Sequence, residues 1–287
     1  MIVMQDPTGT TNKGSGLAFA SWNRCLAMLL PHPSEDVVEE MWGRYIAAPY
    51  AEPHRYYHTM THLEEMLSHF LQYQSSVAPE HCLPEWGTRR LVVELAILFH
   101  DVVYDPKRND NEERSVDWFR AFWGHIRELA SQSFTMAGSG DGQSGVAQRM
   151  RGELIWDDDV AAKEVETTVE GFILCTKSHM AVEPSYLKCN GDTHEIASPP
   201  PDLHLFLDLD LAILGSPAER YKQYAADVRR EYGWYSDTDF ARGRSTFLQN
   251  FLQCPQWYKT KYFCDALEET GRANVVGEVR ALMEQLR

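Results

Sequence analysis

Leu91-Val92-Val93-Glu94-Leu95-Ala96-Ile97-Leu98-Phe99-His100-Asp101-Val102-Val103-Tyr104 opens with nine near-apolar residues, broken only by Glu94, and then places a His beside an Asp. Nine residues cannot cross a bilayer, which takes roughly 20. The run reads as a helix over 88–100 that is buried all round. Strand-type alternation is nearly absent from the rest of the chain. The class expected is therefore all-α.

Working outward, residues 16–30 carry Leu17, Trp22, Leu26, Leu29 and Leu30 at near-helical spacing. A Pro-His-Pro break follows. Ser34 then opens a helix with Glu35 and Asp36 in its first turn, where the helix dipole favours acids. Residues 58–73 form the next helix, with Leu63, Met66, Leu67 and Phe70 on its apolar side. Beyond the central run a helix is expected to about 130, and another from Asp159 to about Thr176. Leu203 to Leu214 is helical or nearly so. Ser216-Pro217-Ala218-Glu219 combines a cap, a Pro at the first helical position and a Glu at the third. Two or three further helices fill 219–286. The Gly/Ser-rich stretch 131–150 and the breaker-rich stretch 181–203 read as inserted loops. The organisation expected is a flexible tail over 1–15 and one helical domain over 16–287.

The chain has 287 residues, with 27 Lys and Arg against 42 Asp and Glu, for a formal charge of −15. Such a surface repels phosphate backbones, and no basic run offsets it, so duplex nucleic acid and anionic membranes are not expected as partners. A small anionic substrate would need a local cation. The six cysteines include no CxxC pair. They read as reduced thiols, and the N-terminus lacks the basic and apolar regions of a secretory signal. The expected compartment is the cytoplasm.

Three segments carry candidate chemistry. Tyr57-His58-Thr59-Met60-Thr61-His62 places two His four residues apart. His100-Asp101 follows the buried run. Leu207-Asp208-Leu209-Asp210-Leu211 sets two acids in an apolar helix. Adjacent helical side chains point about 100° apart, so His100 and Asp101 can meet one ion only where the helix ends and the chain turns. A buried charged Asp is costly unless it is paired or bound to metal. Mixed imidazole and carboxylate donors suit Mn, Fe, Ni, Co or Zn, and can hold Mg with waters. Asp208 lies about 200° from Asp210 on a helix and is therefore expected to support or cap rather than to bind. Glu94 is a candidate acceptor for the second N–H of a ligand His.

The order His … His-Asp … Asp on an all-α scaffold resembles the HD-domain metal-dependent phosphohydrolases. The closest likeness is to a subgroup with Tyr-His-xxx-His, then Glu-Leu-Ala-xxx-His-Asp-Val-Val-Tyr, then Asp-x-Asp-Leu-Ala-Ile-Leu-Gly. These stand here at 57–62, 94–104 and 208–215. The resemblance covers about residues 18–285 and implies an HD-domain helical bundle. It also implies a divalent ion held by His62, His100, Asp101 and Asp210, with His58 and Asp101 as the catalytic residues. The first segment is similar to the Tyr-His-Asn-xx-His motif of cyclic-nucleotide phosphodiesterases. That alignment makes His58 the general acid and His62 the ligand. Another HD pattern, Arg-xx-His-Ser, would align Arg55 with His58 as the ligand.

The implied reaction is hydrolysis of a small phosphoester, a nucleotide among the candidates, by a metal-activated water. Lys177, His179 and Arg55 are expected to bind the substrate phosphate, with His179 alternatively serving a second ion. Tyr104 occupies the slot where two-metal members carry another His, which counts against a tightly held second metal. Two competing readings are a di-iron oxygenase of the HD type and a non-catalytic metal-binding module.

Overall fold

A computed structural model describes residues 14–137, 155–181 and 201–287. Among the described residues there is no strand, and the fold is all-α. Helix α1 spans Leu17–Leu29 and α2 Glu35–Trp42. Helix α2 continues through a π turn at Gly43–Ala47 into a short helical piece, Ala48–Tyr50. Then come α3 (Met60–Ser76), α4 (Thr88–Phe99), α5 (Asn111–Ala137), α6 (Asp159–Cys175) and α7 (Pro201–Leu211). Helices α8 (Ala218–Glu231), α9 (Asp237–Leu252) and α10 (Lys261–Gln285) complete the chain.

Local chemistry accounts for several starts. The Ser34 hydroxyl accepts from Val37 N, Asp158 accepts from Val160 N and Ala161 N, and Thr260 accepts from Phe263 N. Each satisfies amide donors that a helix start leaves without partners. Ser216 behaves differently. Pro217 is the residue that precedes α8, and no side chain caps that end.

Helix α4 is the hub. It packs against α1, α3, α5, α6 and α7, and every residue from Leu91 to Phe99 is buried. This explains its lack of a polar stripe: no face is left for water. Glu94 is the one acid in the run, and it is paired with Arg24 and Arg90. It touches no histidine of the site, so the expectation that it would support a ligand His fails. The pairing offsets what would otherwise be a costly buried charge.

Two loop boundaries differ from expectation. Helix α5 runs on to Ala137, into the stretch expected to be loop from 131. Helix α7 begins at Pro201, inside the stretch expected to be loop to 203. Pro201 is tolerated there because the first turn of a helix needs no amide donor. A 3₁₀ segment also covers Thr176–Ala181. The rest of both expected loops, and residues 1–13 of the tail, lie outside the described residues. No described helix is long and apolar enough to cross a membrane.

Asp208 is buried in α7 and faces the segment that leads into α10. Its carboxylate accepts from Lys259 N at 2.6 Å and from Thr260 N and Thr260 Oγ1 at 2.7 Å each. It therefore anchors the start of α10. Asp208→Ala should destabilise the fold by about 1–3 kcal/mol, because three partly buried donors lose a buried carboxylate acceptor. Urea unfolding would read this, with metal content unchanged.

Candidate metal centre

The geometry begins where α4 ends. His100 follows the last helical residue, and Val102 N donates to Phe99 O at 3.3 Å, closing a tight turn. The turn lets two neighbours that would diverge on a helix converge. His100 Nε2 and Asp101 Oδ2 stand 3.1 Å apart. Arg55 holds the turn from behind. Its guanidinium donates to Asp101 O, Val102 O and His58 O, at 2.7, 2.9 and 3.1 Å. Arg55 is buried and also bonded to Glu52, so it braces the backbone and offers nothing to a substrate phosphate.

His62, in the first turn of α3, brings Nε2 to 3.2 Å from His100 Nε2. Asp210, in the last turn of α7, places Oδ1 3.2 Å from His62 Nε2 and 3.5 Å from His100 Nε2. These three donor atoms lie within 4.8 Å of one another. Asp101 Oδ2 stands 4.0 Å from His62 Nε2, at the edge of the group.

The protons on these rings can be assigned in part. His100 Nδ1 faces Ile97 O at 2.9 Å. A carbonyl only accepts, so Nδ1 carries the hydrogen and Nε2 of the neutral ring points a lone pair into the cluster. His62 Nδ1 pairs with Tyr57 Oη at 2.9 Å, leaving its Nε2 for the same point. Lone pairs and a carboxylate converging in a buried space repel unless a cation or a proton lies among them. Separations of 3.2–3.5 Å between donors match metal–ligand bonds of roughly 2.0–2.2 Å. The residues present therefore fit a divalent ion.

Titration behaviour agrees. Burial pulls the His100 imidazole down, but Asp101 and Asp210 outweigh it and hold its pKa well above the ordinary value. Burial acts to raise both acids, yet the surrounding histidines hold Asp101 and Asp210 below the usual carboxylate range. A proton on His100 thus occupies the place that an ion would take.

His58 lies just before α3, in the turn that leads to it, so it does not share a helical face with His62. Its Nε2 is 3.9 Å from Asp101 Oδ2, beside the cluster. Its Nδ1 bonds Glu231 Oε2 at 2.7 Å. Glu231 is the residue that sequence reasoning missed. Its other oxygen accepts from the backbone N–H groups of Tyr56, Tyr57 and His58, at 2.8, 2.8 and 3.0 Å. Tyr104 Oη donates to Glu231 Oε2 at 2.9 Å, and the Tyr104 ring stacks on His58 with centroids 4.0 Å apart. Tyr104 is thus turned onto the His58–Glu231 pair. One signal could have exposed Glu231: an acid in the last turn of a helix opposes the dipole and needs a compensating partner.

Burial pulls the His58 pKa down, but Glu231 and Asp101 outweigh it and hold it above the usual histidine value. Burial would raise Glu231, yet the bonds from His58 and the backbone amides bring it to about 2. The pairing favours an imidazolium on His58 and a carboxylate on Glu231.

His179 meets Asp210 through Nε2, 2.8 Å from Oδ2. A break in the helical backbone at Ser178 lies immediately before it. Lys177 is bound to Glu113, with Glu112 at 3.9 Å, so its charge is largely neutralised within the protein. His58, Asp101 and Asp210 retain 21%, 20% and 15% of their side-chain exposure, while His62 and His100 are buried. The cluster therefore opens to solvent on its carboxylate side.

Comparison with family models, curated proteins and solved structures returned no match for this chain.

Proposed function

We propose that this protein is a metal-dependent phosphohydrolase acting on a small phosphoester, with nucleotides among the candidate substrates. The observation that carries the reading is the meeting of His62 Nε2, His100 Nε2 and Asp210 Oδ1 within 4.8 Å, with Asp101 at its open edge. A divalent ion bound by these side chains would lower the pKa of a coordinated water and polarise a phosphoryl oxygen. Tyr57 and the Ile97 carbonyl orient the two imidazoles for that task.

His58 supplies the proton. Its Nδ1–H is committed to Glu231, so the proton available for transfer is the one on Nε2, beside Asp101. It goes to the leaving alkoxide oxygen. His58→Ala should keep the metal and lower kcat by about 10²–10⁴-fold. The loss should be smallest for an ester of a good leaving group such as p-nitrophenol, which needs no proton. Metal content and turnover measured on the same preparation would check this.

The deciding test is elemental analysis of protein purified without added metal, with Asp101→Ala as control, followed by a phosphoester screen with Mn, Mg, Co, Ni, Fe or Zn. Phosphate release that is abolished by EDTA, restored by metal and lost in the variant is the expected result. Metal retained unchanged by Asp101→Ala would remove that residue from the ligand set. No phosphate release with any of the six metals would reject the phosphohydrolase reading.

A further inference from the structure

The turn after α4 has a second hollow beside it. A cleft of about 760 Å³ opens among residues 102–107, the first turn of α5 and the Gly233-Trp234 turn after α8. Small-molecule sites commonly run from roughly 300 to 1,000 Å³. His62, His100, Asp101 and Asp210 do not line it. Tyr104 and Glu231, the partners of His58, form part of its wall.

Two kinds of group in the cleft are unspent. The first is positive charge. Lys107 and Arg114 both line it, and neither side chain has a hydrogen bond or an ion pair among the described residues. That is unusual in a chain of charge −15, where carboxylates outnumber cations. The acids that share the lining are already engaged. Glu52 is held by Arg55, Asp105 accepts from Lys107 N, and Glu231 is filled by His58, Tyr104 and three backbone amides. The lining balances three cations against three acids, and with Arg230 paired to Asp227, Lys107 and Arg114 are the cations whose donors remain open to an anion.

The second is open aromatic surface. Trp234 is 41% exposed and Tyr56 37% exposed. The Lys107 ammonium lies 5.2 Å over the Trp234 ring, and the Arg230 guanidinium 3.7 Å over Tyr56. Cation and ring are thus presented together on each side. A ligand that joins a flat ring to an anionic group would satisfy both at once, by stacking and by charge-assisted hydrogen bonding.

We infer that this cleft binds a nucleoside monophosphate, with the phosphate on Arg114 and Lys107 and the base against the exposed Trp234 and Tyr56 rings. The site is separate from the metal cluster, and its occupancy does not depend on the phosphohydrolase reading.

The test is isothermal titration calorimetry in EDTA, with adenosine monophosphate, adenosine and inorganic phosphate as probes. Saturable binding of the monophosphate is expected, with adenosine and phosphate each at least about tenfold weaker. Arg114→Gln and Trp234→Ala should each weaken it by at least about tenfold, with circular dichroism showing that both variants stay folded. Asp210→Asn should bind as the wild type does. No saturable binding of the monophosphate would overturn the inference. So would binding unchanged in Arg114→Gln. Binding lost in Asp210→Asn would place the ligand at the metal cluster and overturn it as well. Because the titration involves neither metal nor turnover, its failure is distinguishable from failure of the phosphohydrolase proposal.

Discussion

Asp210→Ala should strip the bound metal and abolish turnover. The Asp210 carboxylate is shared, with Oδ1 facing His62 and His100 and Oδ2 facing His179. Removing it deletes a donor and also the negative charge that helps neutralise a divalent ion. Two buried imidazoles and Asp101 remain, too few to hold the ion tightly in this opening. The expected result is less than a tenth of the wild-type metal, no measurable phosphate release, and a melting temperature that no longer rises when metal is added. The last readout follows from linkage, since a ligand that binds only the folded state stabilises it. Wild-type metal occupancy in the variant would sink the assignment.

The same cluster sets a pH dependence. His100 is held above its ordinary pKa by Asp101 and Asp210 when protons, not metal, fill the site. Binding the ion must displace that proton. Metal affinity should therefore fall as pH drops through the raised His100 value and strengthen above it. Titrating metal at several pH values would show proton release on binding.

Glu231→Gln should leave the metal in place and cut kcat, with a displaced pH profile. Glu231 sits 173 positions from His58 and bonds its ring at 2.7 Å. It holds the His58 pKa up, so activity that needs protonated His58 is present at low pH and lost as pH rises through that raised pKa. Without the carboxylate charge, burial is opposed only by Asp101 and Asp210, and the ring's pKa falls. The alkaline limb of kcat/KM should move to lower pH, and kcat near neutrality should drop by up to about 10²–10⁴-fold, the range for losing acid catalysis. Glutamine keeps one oxygen for the amides of Tyr56, Tyr57 and His58, so the loop can stay in place. Glu231→Ala would leave those donors and an imidazolium without a buried partner, at a cost of about 3–5 kcal/mol in stability. An unmoved alkaline limb in the glutamine variant would reduce Glu231 to a structural brace.

Several features of the site were legible from residue order. The apolar run over 91–99 announced a helix buried on every side, and α4 is packed by five others. Neighbours on a helix diverge by about 100°, so His100 and Asp101 converge only where the helix ends, and the chain turns at that point. The opposite faces of Asp208 and Asp210 follow from the same step. Arg55, Lys177 and Glu94 were harder. Each is a charged residue near a motif, and motif spacing does not reveal which partners the fold has already supplied to it. Glu94 has Arg24 and Arg90, Lys177 has Glu113, and Arg55 has three carbonyls.

The division follows the range of the interactions. Helical periodicity, caps such as Ser34 and the break after Phe99 join residues within about four positions, so the linear order of side chains was enough to define the all-α class and the motif-bearing helices. The partners that tune chemistry come from elsewhere in the fold: Glu231 in α8 for His58, His179 in the 3₁₀ segment for Asp210, and Thr260 at the start of α10 for Asp208. Even Tyr57, five residues from His62, reaches it only because the chain turns before α3. Which of these charges end up opposed, and which remain free as at Lys107 and Arg114, depends on how the helices pack. That is a property of burial and distance in three dimensions, and the order of residues along the chain does not encode it directly.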